Sequence, residues 1–180
     1  MHLLFYITFN FIIYSFIGWI IEEVYWYVTV RKIKKEGFLK GPFKPMYGIA
    51  STILILYNQI LDINGIPLVL LCFLIPTTVE YISGYMLKHI FNKIYWNYSH
   101  LKYNIHGFVS LKFSLYWTVL SFIGVYFLQP VVYNIYKESE EILIIAVCFF
   151  SIIFMLDFLL TLKDFRKIQF QILEKNNKNK

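Results

Sequence analysis

The sequence predicts an all-α fold: a polytopic transmembrane bundle of about five helices, with the N-terminus outside and the C-terminus in the cytoplasm. Three observations predict it. The 180 residues are 58% hydrophobic and 21% aromatic, a surplus that a soluble domain would expose as large aggregation-prone patches. Only 16% of residues are charged, in blocks between long apolar stretches, which is the pattern of a membrane chain. Those blocks alternate along the chain between basic and non-basic, and that alternation sets the orientation.

The first apolar segment runs from about Leu3 to Val30. It has no basic n-region, exceeds the apolar run of a signal peptide and is followed by no small-x-small cleavage site, so it reads as a retained helix. The second begins after Pro45, a residue suited to a first helical position, and ends near Ile63. A turn over 62–67 leads into the third, from about Leu68 to Phe91. The fourth runs from about Gly107 to Tyr133 and the fifth from about Glu141 to Leu162. Each is expected to cross about 30 Å of hydrocarbon at about 1.5 Å per residue. No linker composition divides the chain, so 1–163 read as one bundle and 164–180 as a basic cytoplasmic tail.

The first loop holds Arg31, Lys32, Lys34, Lys35, Lys40 and Lys44, and the second holds no Lys or Arg. The third holds Lys88, Lys93 and Lys102, with Lys112 just beyond. The fourth sets Lys137 against Glu138, Glu140 and Glu141, and the tail carries Lys163, Arg166, Lys167, Lys175, Lys178 and Lys180. An odd number of spans with the basic loops inside satisfies this pattern. The net charge of +6 is therefore accounted for by the lipid bilayer, without a nucleic-acid partner. In the tail, Phe165, Ile168, Phe170, Ile172 and Leu173 interleave with bases. That mixture suits either an inner-leaflet contact or a solvated end.

Acidic residues lie where lipid would be. Glu22 and Glu23 sit between Trp19 and Trp26, toward the cytoplasmic end of the first helix. Glu80 is near the middle of the third, one turn after Pro76, and Thr77, Glu80, Gly84 and Lys88 recur on one helical face. A carboxylate at that depth costs a few kcal/mol on insertion scales, so it faces the bundle or a wet cavity. Two readings stay open: a substrate or relay site in the cytoplasmic half, or structural pairing with a base, for which Lys88, Lys112 and Arg31 are the nearest candidates. Asp157 in the fifth helix is expected to pair with Lys163 at the interface. The series Gly107, Ser110, Ser114, Trp117, Ser121 and Gly124 is a small-residue stripe for helix packing.

No cofactor is indicated. Cys72 and Cys148 lie in apolar stretches without partners at disulfide or metal spacing, and His89, His100 and His106 lack the i,i+4 spacing of a zinc helix. The glycine- and proline-rich run 37–48 is a shaped basic loop without Walker A spacing. The run 95–107 concentrates aromatic and hydrogen-bonding groups suited to the inner interface. No catalytic signature marks an enzyme. Richness in Ile, Lys, Asn, Phe and Tyr suggests an AT-rich bacterial genome, hence the cytoplasmic membrane of a bacterial cell.

Several motifs in order, Ser15-Phe16-Ile17-Gly18-Trp19 with Glu22-Glu23, then GFLKGPFKPMYG, then Glu80 with Ser83-Gly84, then YWNYSHLKYNIHG into SLKFSLYW, resemble the bacterial ABC-transporter type IV permeases (CmpB-like). The resemblance covers about Ser15 to Trp117. It implies a small multi-pass permease and marks Glu22, Glu23, Gly41, Pro45, Gly48, Glu80, Gly84, Trp96, Tyr98, Ser99, Asn104 and Gly107 as family-pattern positions. Asn97 stands where that pattern has an aspartate, which weakens any role for an acid in the loop. Three functions follow as expectations. The first is a permease-type transport subunit, ATP-driven only with a separate ATPase and together with a second copy of the chain. The second is a non-transporting scaffold or sensor, and the third an intramembrane enzyme acting on lipid headgroups at the inner leaflet.

Overall fold

The computed structural model describes residues 3–31, 37–138 and 140–178, with side chains described for all of these but 140, 141 and 168–178. The expected all-α bundle is what it shows. The helices are α1 (Leu3–Val30), α2 (Pro45–Gln59), α3 (Gly65–Phe91), α4 (Leu111–Ile123), α5 (Gln129–Glu138) and α6 (Glu140–Lys178). A π-helical turn, Gly124–Leu128, joins α4 to α5, so that Leu111–Glu138 is one continuous rod. Among the described residues, the only sheet is a pair of two-residue strands, β1 (Asn104–Ile105) and β2 (Val109–Ser110), antiparallel with Asn104 opposite Ser110.

Four helices have the length and hydropathy of a full span: Leu3–Val30, Gly65–Phe91, Leu111–Glu138 and Ile142–Lys167. Their outward faces carry large apolar side chains such as Leu4, Ile66, Phe127 and Ile145, which suit hydrocarbon rather than water. Helix α2 corrects the expectation of five full-length spans. Its 15 residues cover about 22 Å at the α-helical rise, and it begins inside the bundle. The Lys44 N–H donates to Ser15 O, halfway along α1, at 2.9 Å. The chain before Pro45 thus dips toward α1 instead of staying at its end.

That dip depends on a close helix crossing. A Cβ at Gly48 would stand 2.2 Å from Ser15 Oγ and 2.6 Å from Phe11 O, so only glycine lets α2 approach α1 here. Pro45 fits the first turn of α2 because an N–H there has no helical acceptor. On α3, Leu68, Cys72, Pro76, Glu80 and Gly84 are buried. They recur at every fourth position and form one inward stripe.

The ends of the bundle are distinct. At one end Phe38 lies 5.2 Å from Phe91 and 5.8 Å from Phe165, ring centre to ring centre, so the first loop, the end of α3 and α6 meet. Lys40 also forms an ion pair with Asp164 there. At the other end Tyr6 bonds Gln59, the Gly65 N–H donates to Tyr126 Oη at 3.3 Å, and Phe5 packs on Tyr136. Segments with basic loops therefore share one end, as the charge alternation requires. Lys32, Lys34 and Lys35 lie outside the described residues, as do the side chains of Ile168, Phe170, Ile172 and Leu173.

The fourth apolar segment begins later than expected. Gly107 belongs to the turn of the β1–β2 hairpin, not to a helix, and helix α4 starts at Leu111. His106 and Gly107 both take left-handed backbone angles, φ 54° and 73°, which is how a tight hairpin turn matches strand twist. A Cβ on Gly107 would also meet Asn97 Oδ1 at 2.7 Å.

Candidate functional site

Glu80 is the centre of the site. Only 2% of its surface is exposed, and its neighbours come from four elements. The Tyr98 hydroxyl, from the loop after α3, donates to Glu80 Oε1 at 3.0 Å. The second oxygen, Oε2, is buried without a hydrogen-bond partner among the described residues, and so is Trp117 Nε1 on α4. The two residues do sense each other, and Glu22 adds negative potential at Glu80. Among the described residues no Lys or Arg pairs with Glu80. A carboxylate this deep with one donor and one open acceptor is costly in an apolar bundle.

The second acid reaches the same place from α1. Glu22 Oε2 pairs with Lys44 Nζ at 2.9 Å, with both side chains mostly covered (21% and 13% exposed). Tyr47, in the first turn of α2, stands near Glu22, Glu80 and Tyr98 together. Its ring meets Trp117 edge-on, centroids 5.3 Å apart. The α1–α2 crossing that Gly48 permits is what brings Lys44 and Tyr47 beside the α1 carboxylate.

Tyr98 is held by a loop built for rigidity. Its N–H donates to Gly107 O at 2.9 Å, and its ring stacks on Phe113, centroids 4.5 Å apart. The Ser99 N–H donates to Asn97 Oδ1 at 2.9 Å. Asn104 donates to Leu101 O at 2.8 Å and accepts from the Gly107 N–H at 3.0 Å. Trp96 Nε1 donates to Phe108 O at 2.8 Å, and Phe108 in turn packs on Gly84 of α3. Burial first, and the Glu80 carboxylate second, hold the Tyr98 phenol above its ordinary range. It therefore stays a protonated donor at neutral pH. Asn97 works through its carbonyl oxygen, a task that needs no charge.

Glu80, Tyr47 and Trp117 line a cavity of ≈120 Å³ between α1, α2, α3 and α4. That is space for several waters or one small organic molecule. Its other walls are mainly apolar, with Ser51, Ser121 and Tyr14 as the hydroxyl-bearing exceptions. Tyr14 closes the far end and leads into a second polar cluster. Tyr14 Oη donates to Gln129 Oε1 at 2.7 Å. Gln129 Nε2 donates to Tyr6 Oη at 2.7 Å and to Asn10 Oδ1 at 3.0 Å. Gln129 is buried immediately after the π-turn, where the wider turn shifts the helix phase. A further cavity of ≈380 Å³ lies beside Glu22 and Lys44, walled by aromatic residues including Phe43, Phe91 and Trp96.

The family-pattern positions thus divide. Glu22, Glu80 and Tyr98 converge on one site, while Gly48, Gly84, Trp96, Ser99, Asn104 and Gly107 shape the backbone that brings them there. Gly41 offers its N–H to Asp157 Oδ2 at 2.8 Å. Glu23 is half-buried and lines neither cavity. Lys88 is exposed and sits 5.5 Å from the Phe108 ring centre, away from the carboxylate.

Two expectations are corrected. The base beside the acids is Lys44, not Lys88, Lys112 or Arg31; Lys112 lies over the Tyr116 ring, and Arg31 ends α1 with φ 59°. Asp157 accepts from the backbone N–H groups of Lys40 and Gly41 in place of Lys163, because the first loop folds against α6. Gln129, Asn10 and Gln59 went unnoticed because neutral amides in apolar stretches carry no charge signal. Gln129 next to Pro130 was the one local hint.

A model of the family described as "Putative ABC-transporter type IV" matches residues 9–162. No curated protein and no solved structure matches the chain.

Proposed function

The chain belongs to the family described as "Putative ABC-transporter type IV", and from that premise we propose that this multi-pass membrane protein is a permease-type subunit of an ATP-driven transport system. In this reading it sits in the cytoplasmic membrane of a bacterium, N-terminus outside, and a separate ATPase subunit supplies the energy. The single observation that carries the reading is the cavity among α1, α2, α3 and α4, with a buried, base-free Glu80 in its wall. Intramembrane ionisable groups facing a cavity mark solute or ion pathways. The uncharged cluster around Gln129 extends the polar route toward the opposite end of the bundle.

The end formed by the first loop, the loop after α3 and the α6 segment near Phe165 is the proposed cytoplasmic face. Its basic residues fit the positive-inside rule. The segments 37–45 and 96–106 are the proposed docking surface for the ATPase. Five helices make a slender pathway, so the assembly includes a second copy of the chain. Residues 164–180 act as a basic cytoplasmic tail at that face.

The experiment is affinity purification from the native membrane, identification of a co-purifying ATPase, and reconstitution of the complex into liposomes. The reading expects ATP-dependent solute flux that the chain without its ATPase does not support. A co-purifying ATPase that never drives flux for any solute in a broad panel would overturn it.

A further inference from the structure

We propose that the cavity between α1, α2, α3 and α4 binds a small organic ammonium ion, with Glu80 as counter-ion and the Tyr47 and Trp117 rings as walls. The inference rests on the permease reading for its role as cargo, but the binding site stands on its own geometry. Glu80 is nearly fully buried, lines the cavity, and keeps Oε2 without a partner. Among the described residues, Lys44 stands beside the acid cluster and is paired with Glu22. A cation entering the cavity would meet the Glu80 carboxyl with no base among the described residues competing for it.

The wall chemistry selects its kind. Tyr47 and Trp117 meet edge-on with centroids 5.3 Å apart, and both line the cavity. Aromatic faces beside a carboxylate attract cations with weakly hydrated, carbon-bearing surfaces. Leu54, Val79 and Leu120 complete the lining and suit such a body. A bare metal cation is served poorly, because hard cations require about six or more oxygen ligands. Beyond the Glu80 carboxyl, the side chains of this cavity offer only hydroxyls as oxygen ligands, from Ser51, Ser121, Tyr14 and Tyr47. An anion would find no base in the cavity wall, where Glu80 is the ionisable carboxyl.

The test is equilibrium binding of radiolabelled choline to the purified full chain in lipid nanodiscs, with competition by tetramethylammonium chloride, sodium chloride and sodium acetate at constant ionic strength. Saturable binding is expected, displaced by tetramethylammonium but not by sodium or acetate. Glu80→Gln is expected to weaken it at least tenfold. Trp117→Phe keeps a ring and loses the N–H that acts on Glu80, so it is expected to weaken choline and tetramethylammonium alike, several-fold. Size-exclusion profiles and circular dichroism identify variants that retain the fold, and Trp117→Phe serves if Glu80→Gln does not. No saturable choline binding, or unchanged affinity in a folded Glu80→Gln, overturns the proposal. ATP-driven flux of an uncharged solute without ammonium binding overturns the ligand class and leaves the permease reading. Glu80-dependent binding without flux does the reverse.

Discussion

The Tyr98 hydroxyl donates to Glu80 Oε1 at 3.0 Å, tying a loop outside the bundle to a carboxylate in the middle of α3. The bond holds Oε1 from the loop, while Trp117 acts on the same carboxylate from α4. It gives the loop after α3 a definite task, which is to hold the acid in one orientation against the cavity.

Replacing Tyr98 by Phe is therefore expected to destabilise the protein by about 1–2 kcal/mol, since the ring and its stacking on Phe113 survive while the carboxylate loses its donor. A fall of a few degrees in melting temperature in detergent is the predicted reading. The raised phenol adds a pH consequence. Tyr98 remains protonated through its ordinary titration range, so the wild-type protein should show no loss of this bond between neutral and mildly alkaline pH.

The Glu22–Lys44 pair offers a second check. Both side chains are mostly covered, so removing either one leaves the other charge poorly solvated. Glu22→Gln and Lys44→Met are each expected to destabilise the fold, and the double variant by less than their sum. A coupling on the order of 1 kcal/mol from the double-mutant cycle is the predicted outcome. Strict additivity would show that the pair does not interact.

Asp157 bonds the backbone N–H groups of Lys40 at 3.2 Å and Gly41 at 2.8 Å, which makes it a clasp on the first loop. Hydrogen bonds to an ionised acceptor are worth roughly 1.5–3 kcal/mol. Asp157→Asn is expected to weaken the clasp and Asp157→Ala to open it. Limited trypsinolysis at Lys40 should quicken in that order, with other cleavage sites unchanged.

Much of this was legible beforehand. Long apolar runs and alternating basic loops gave the helices, their order and the shared end of the basic segments. Glu22 and Glu80 stood out because a charge in an apolar stretch is rare. The remainder depends on contacts distant in sequence. No local pattern reveals that the chain dips so that Lys44 bonds Ser15 O, which shortens α2 and selects the base that faces Glu22. Asp157 was expected to pair locally because helical spacing is the only geometry a sequence displays. Gly107 continued a small-residue periodicity into a segment where a left-handed turn, invisible to that periodicity, ends it. The Gln129 cluster joins α1, α2 and α5 through neutral groups, whose role appears only when the helices are packed.

The central claim is that the cavity beside Glu80 is part of a transport pathway, and Ser121, which lines it, gives the most direct measurement. With Cys72 and Cys148 replaced by Ser, Ser121→Cys would be introduced and its reaction with a small, membrane-impermeant thiol reagent timed in liposomes holding the complex with its ATPase. The permease account predicts that the rate changes several-fold between the nucleotide-free complex and the complex hydrolysing ATP, as access to the cavity alternates. An identical rate in both states, while ATP is being hydrolysed, would contradict it.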